Sequence, residues 1–172
     1  MKKYLITALI FMGFSITVFA NGIVGEKIPN IVAKDQEGKE IKLQDLKGKW
    51  ILLYFYPKDD TPGCTKQACS IRDNYSKFKK AGIVVYGVSS QDSDSHKKFR
   101  AKHKLPFDLL VDHDGAIGKI FGIDKYPLVG IYKRESILIT PDQIVLKKFE
   151  NVDPDKHTDL ILNAVLEAGG LK

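Results

Sequence analysis

Apolar positions along this chain come in short blocks separated by polar turns, and their spacing alternates between two kinds. Trp50 to Tyr56 is a near-continuous apolar and aromatic run, and Ile83-Val84-Val85-Tyr86-Gly87-Val88 is another. Such runs predict strands covered on both faces. Phe107 to Val111 predicts a third strand. Between the first two, Ile71, Tyr75, Phe78 and Ala81 recur at helical spacing. One helix is therefore predicted from Pro62 to Ala81, with Gly82 as its stop and Thr61 as its N-cap. Asp92 to Lys104 predicts a polar helix, Ala116 to Phe121 a short one, and Asp155 to Ala168 an amphipathic one ended by Gly169-Gly170. Two hairpins complete the pattern. One joins Ile31-Val32-Ala33 to Ile41-Lys42-Leu43 across Glu37-Gly38; the other joins Ile137-Leu138-Ile139 to Ile144-Val145-Leu146 across Pro141-Asp142. Strands alternating with helices predict an α/β sandwich. Periodicity alone does not select which one.

The start of the chain has a different composition. Lys2 and Lys3 precede the mostly apolar Tyr4 to Phe14, and Val18-Phe19-Ala20 offers small residues at the −3 and −1 positions. This predicts a secretory signal over residues 1–20, cleaved after Ala20, with residues 21–172 as a single domain. The apolar run is interrupted by Gly13, Ser15 and Thr17 and is short for a spanning helix, so no membrane association is expected after cleavage. Export predicts an oxidising compartment, read here as a bacterial periplasm. The net charge of +6 becomes +4 without Lys2 and Lys3. The lysines are spread among acids and form no basic stripe with interleaved aromatics, which excludes a nucleic-acid partner. The four histidines, His96, His103, His113 and His157, do not pair at i, i+4 and are expected at the surface. No metal or other cofactor is called for.

Candidate chemistry lies in one segment. Cys64 and Cys69 are the chain's two cysteines. Cys64 falls at the predicted helix start, where backbone N–H groups favour a thiolate. A free cysteine is only about 3% thiolate at pH 7, and making it about 90% thiolate needs about 3.4 kcal/mol. A helix N-terminus supplies about 1 kcal/mol and at best about 2. The rest must come from hydrogen bonds or a cation. Thr61 can offer a hydroxyl, and Arg134, just before a buried strand, is the arginine best placed to reach the sulfur. Arg72 lies too far along the helix, and Arg100 is expected to be solvated. Cysteines five apart on an α-helix have Cα atoms about 8.6 Å apart and point about 140° apart. A disulfide spans at most about 7 Å between Cα atoms. Bonding the pair must therefore unwind the helix. A structural bridge is not built that way, and closing so short a loop contributes only about 2 kcal/mol.

Tyr54 to Thr65 resembles the active-site segment of the peroxiredoxins, with Pro57, Thr61 and Cys64 matching their Pro-x-x-x-Thr-x-x-Cys pattern. Cys69 resembles the second cysteine of the bacterioferritin-comigratory, or peroxiredoxin Q, branch. The resemblance implies a thioredoxin-like three-layer α/β sandwich with an N-terminal β-hairpin extension. It implies a thiol peroxidase acting on hydrogen peroxide and organic hydroperoxides. Cys64 would be the attacking thiolate and Cys69 the resolving thiol, joined as a redox disulfide. Thr61 and Arg134 would hold the peroxide oxygens and the sulfur. Pro57 would shield the pocket, and the backbone at Gly63 and Cys64 would stabilise developing charge. The implied partner is a thioredoxin-like protein reductant in the exported compartment, and a monomer suffices because both thiols lie on one helix. Two alternatives use the same fold. A general disulfide oxidoreductase normally carries Cys-x-x-Cys, which is absent here. A Cu(I)-binding chaperone would use both thiols, but the i, i+5 spacing with Thr61 and Arg134 argues against it.

Overall fold

The protein is described here by a computed structural model covering residues 23–170; the predicted leader at 1–20 lies outside them. In chain order the strands are β1 (Val32–Asp35), β2 (Glu40–Lys42), β3 (Trp50–Phe55), β4 (Ile83–Ser89), β5 (Asp108–Val111), β6 (Glu135–Ile139) and β7 (Val145–Phe149). The helices are α1 (Pro62–Asp73), α2 (Tyr75–Lys80), α3 (Ser93–His103), α4 (Ala116–Ile120) and α5 (His157–Glu167). The strands form one sheet in the order β2-β1-β5-β4-β3-β6-β7. β3 is central: it runs parallel to β4 and antiparallel to β6, and every one of its residues is buried. β1 pairs antiparallel with β5, so the β1–β2 hairpin extends the sheet at its edge.

The pleat of β3 sends alternate side chains to two cores. Trp50, Leu52 and Tyr54 meet Ala68 and Ile71 of α1, Phe78 of α2 and Ile161 and Val165 of α5. Ile51, Leu53 and Phe55 meet Ile117 of α4, with Phe121, Tyr132, Ile137 and Ile139. This is the thioredoxin-like α/β sandwich with its N-terminal hairpin extension. Helices cover both faces of the sheet, and α1 and α5 lie together over the first core.

One expected element is split. The helix predicted over 62–81 breaks at Asn74, whose φ/ψ of −104°/11° leave the helical region. Its amide Nδ2 donates to the Ser70 carbonyl at 2.9 Å. The side chain shares that carbonyl with its own backbone N–H. The apolar period survives the break because α2 resumes at once.

Gly87 of β4 lies beside Tyr54 in the β3–β4 register. A Cβ there would meet the Tyr54 hydroxyl and Leu109 Cδ2, both at 2.7 Å. The glycine thus makes room for the tyrosine ring that lies beneath α1 and α5. Gly87→Ala is expected to lower stability by about 1–3 kcal/mol through overpacking. Denaturant unfolding of the two proteins checks this, and an unchanged midpoint contradicts it.

Candidate active site

The site begins where β3 ends. The loop from Pro57 to Thr61 is pinned to α3 by two aspartates. The buried Asp59 carboxylate accepts from the Tyr56 hydroxyl at 2.8 Å, the Ser95 hydroxyl at 2.6 Å and His96 Nδ1 at 2.8 Å. Asp60, in the left-handed region at φ 56°, accepts from Lys102 Nζ at 3.0 Å and His103 Nε2 at 2.8 Å. Those bonds, His103's first, hold its carboxyl below the usual range. Pro57 is half-buried in this loop.

Thr61 occupies the N-cap backbone position of α1, extended at φ/ψ −81°/149°, and its carbonyl accepts from the Thr65 amide at 2.9 Å. Its side chain does not cap the helix. The hydroxyl donates to the Lys58 carbonyl at 3.0 Å, because the loop turns that carbonyl back toward it. Pro62 fills the first helical position, where its missing N–H costs nothing.

Cys64 follows in the first turn of α1, and the residue is only 1% exposed. Arg134, the residue before β6, directs Nη2 to its sulfur at 3.5 Å. The other two arginines are engaged elsewhere. Arg72 donates to the His103 carbonyl and Asp73. Arg100 is bonded to the Phe107 carbonyl and paired with Asp108, so it is not simply solvated as expected. Gly63 packs against the guanidinium: a Cβ there would stand 3.0 Å from Arg134 Nη2. Cys69 is half-buried further along α1, and both cysteines are free thiols. Both lie on the one helix α1. Among the described residues no three His, Cys, Asp or Glu side chains gather into a metal site.

Three residues that the sequence did not assign to the site complete this arrangement. Arg134 Nη1 donates to Gln67 Oε1 at 2.5 Å, and Gln67 Nε2 lies 3.1 Å from His157 Nδ1. His157 Nε2 lies 3.0 Å from the Ser136 hydroxyl. Gln67, Ser136 and His157 are all fully buried. The expectation of surface histidines is thus wrong for His157, and for His96, which is also fully buried. A signal was present: His157 precedes Ile161, Ala164 and Val165 at helical spacing, which places it on the apolar face of α5. Burial pushes its imidazole down to about 3, with the Arg134 charge adding to the depression.

A model of the AhpC/TSA family matches residues 24–148. The chain belongs to that family, among its peroxiredoxins. It is 43% identical over 144 residues to chloroplastic peroxiredoxin Q of Sedum lineare, covering 83% of this chain and 77% of the relative. The crystal structure of PrxQ from Xylella fastidiosa superposes with a TM-score of 0.81 at 26% identity, over 87% of this chain and 99% of the other. The bacterioferritin comigratory protein of Xanthomonas campestris, solved for its alkyl peroxide reduction activity, gives a TM-score of 0.75 at 31% identity, over 81% and 92%. This peroxiredoxin is a thiol-dependent peroxidase carrying two cysteines. One expectation is overturned. The curated relatives are named as chloroplastic, which contradicts assignment to a bacterial periplasm. A basic start followed by an apolar run is a pattern of composition, whereas a compartment is specified by the receptor that reads it.

Protonation of His157 gives a stability prediction. Its native value near 3 lies below the ordinary 6.5. Between about pH 6 and 4.5 the unfolded chain binds a proton here and the native protein does not, so stability falls as pH falls, approaching about 1.4 kcal/mol per pH unit. Asp60, Asp73 and Asp124, held below the usual carboxylate range, add to the fall only at the acid end of this window, and equally in the wild type and a His157 variant. Denaturant unfolding from pH 4.5 to 7 should show that slope in the wild type and lose it in His157→Asn. Equal slopes contradict the assignment.

Proposed function

We propose that this peroxiredoxin domain, residues 21–172, reduces hydrogen peroxide and organic hydroperoxides through Cys64, with Cys69 as the resolving thiol. The observation that carries the reading is the Arg134 guanidinium on a buried sulfur in the first turn of α1. A cation and a helix N-terminus acting together favour the thiolate, the nucleophilic form of cysteine. The alkyl peroxide reduction described for the Xanthomonas relative supports the wider substrate range.

In the first step the Cys64 thiolate attacks one peroxide oxygen and the O–O bond breaks. Sulfur keeps that oxygen as a sulfenic acid, and the other oxygen leaves as water or an alcohol after taking up a proton. Arg134 stabilises the thiolate and the charge that develops on the departing oxygen, and the backbone N–H groups around Gly63 and Cys64 assist it. Thr61, whose hydroxyl oxygen retains free lone pairs, holds the incoming peroxide proton, and Pro57 shields the sulfur from water. In the second step the Cys69 sulfur attacks the Cys64 sulfur, the S–O bond breaks and water leaves. A thioredoxin-type dithiol then exchanges with the disulfide, is itself oxidised and returns both thiols. A monomer carries out every step, because both thiols belong to one helix.

Three variants test the assignment under stopped-flow mixing with hydrogen peroxide and with cumene hydroperoxide. Cys64→Ser should consume neither peroxide. Arg134→Ala should react about ten- to a hundredfold more slowly, the scale of a lost charge-assisted hydrogen bond. Cys69→Ser should complete one turnover at the wild-type rate and then stall with thioredoxin as the reductant. Near wild-type rates in Cys64→Ser would refute the nucleophile, and sustained turnover in Cys69→Ser would refute the resolving role.

A further inference from the structure

Arg134 is a long side chain that reaches the sulfur from another element, so something must fix its direction. Among the described residues no carboxylate lies within ion-pair distance of it. Its second hold is the Gln67 amide, one helical turn beyond Cys64. A guanidinium has donors only, so the amide must present its oxygen. That leaves Nε2–H facing His157, whose Nδ1 must accept. The ring proton then sits on Nε2 and is donated to the Ser136 hydroxyl. The chain of donors runs from Arg134 just before β6, through α1 and α5, and back to β6 at Ser136.

Building on the proposed role of Arg134, we propose that Gln67 and His157 are positioning residues: His157 selects the orientation of the Gln67 amide, and the amide aims the guanidinium at Cys64. The two ends of an amide are nearly the same size, so packing does not choose between them. With its NH2 group toward Arg134, the amide would push the guanidinium away instead of holding it. The imidazole removes that alternative by accepting the NH2. Complete burial of Gln67, Ser136 and His157 keeps water from substituting for the links among these three. The depressed protonation of His157 keeps Nδ1 an acceptor throughout the neutral range. A neutral amide also leaves the charge of Arg134 uncompensated, so the sulfur is its anionic partner. Gln67 lies between Cys64 and Cys69, so unwinding α1 to join them withdraws the amide from Arg134 and His157 together.

The test is alkylation of Cys64 by iodoacetamide across pH, in a Cys69→Ser background so that one thiol reports. Gln67→Met and His157→Leu should each move the profile to higher pH and slow alkylation at pH 7 by about three- to tenfold. His157→Asn, which returns an acceptor oxygen near the Nδ1 position, should recover most of that loss. In an Arg134→Ala background none of the three should have an effect, because each acts through Arg134. Unchanged profiles, equal slowing in the Arg134→Ala background, or no advantage of Asn over Leu at 157 would overturn the proposal. Nitrogen NMR of the wild-type imidazole reads the same claim without a variant: a neutral ring protonated at Nε2 is expected, and protonation at Nδ1 overturns it. If the wild type consumes no peroxide, the peroxidase reading falls, while the alkylation series still measures the hold of Arg134 on the sulfur.

Discussion

A sulfur buried at the start of a helix ionises poorly unless a cation is brought to it, and a cation buried near it is unstable unless something polar holds it. In the proposed mechanism the contact between Arg134 and Cys64 answers both requirements. It joins the first turn of α1 to the residue before β6, and these come together because β3 pairs antiparallel with β6 while leading directly into the loop before α1. The order of strands around β3 therefore sets the chemistry. The two aspartates that tie the loop to α3 fix the other side of the same turn.

The hydrogen-bond chain behind Arg134 explains why polar residues occupy so apolar a core. Gln67, His157 and Ser136 lie beside Tyr54, whose ring meets His157 edge-on at 6.2 Å. A buried polar group with no partner costs about 1–3 kcal/mol, but here each group is satisfied by the next. The histidine is neutral because burial disfavours its charged form, and its neutral form is what the amide requires.

Much of this was legible in the residues. The continuous apolar runs at 50–56 and 83–88 mark the two central strands, because a strand covered on both faces has no polar side. Arg134, singled out for its place before a buried strand, does reach the Cys64 sulfur. What stayed hidden depends on three-dimensional pairing. At Asn74 the side chain shares the Ser70 carbonyl with its own backbone N–H as the helix breaks, which apolar period does not record. The Thr61 hydroxyl fits the capping position by residue type, yet the loop offers it the Lys58 carbonyl instead. Gln67 and His157 stand ninety positions apart, and only the packing of α1 against α5 makes them one unit.

In the proposed mechanism α1 is intact while both thiols are reduced and opens for Cys69 to reach Cys64. Helix geometry sets the two Cα atoms about 8.6 Å apart, beyond the roughly 7 Å a disulfide spans. Amide hydrogen exchange on the reduced and the disulfide-bonded protein measures this directly. Protection from Lys66 to Arg72 should be high in the reduced form and largely lost in the oxidised one, with β3, β4 and β6 unchanged. Equal protection of that segment in both forms would contradict the account.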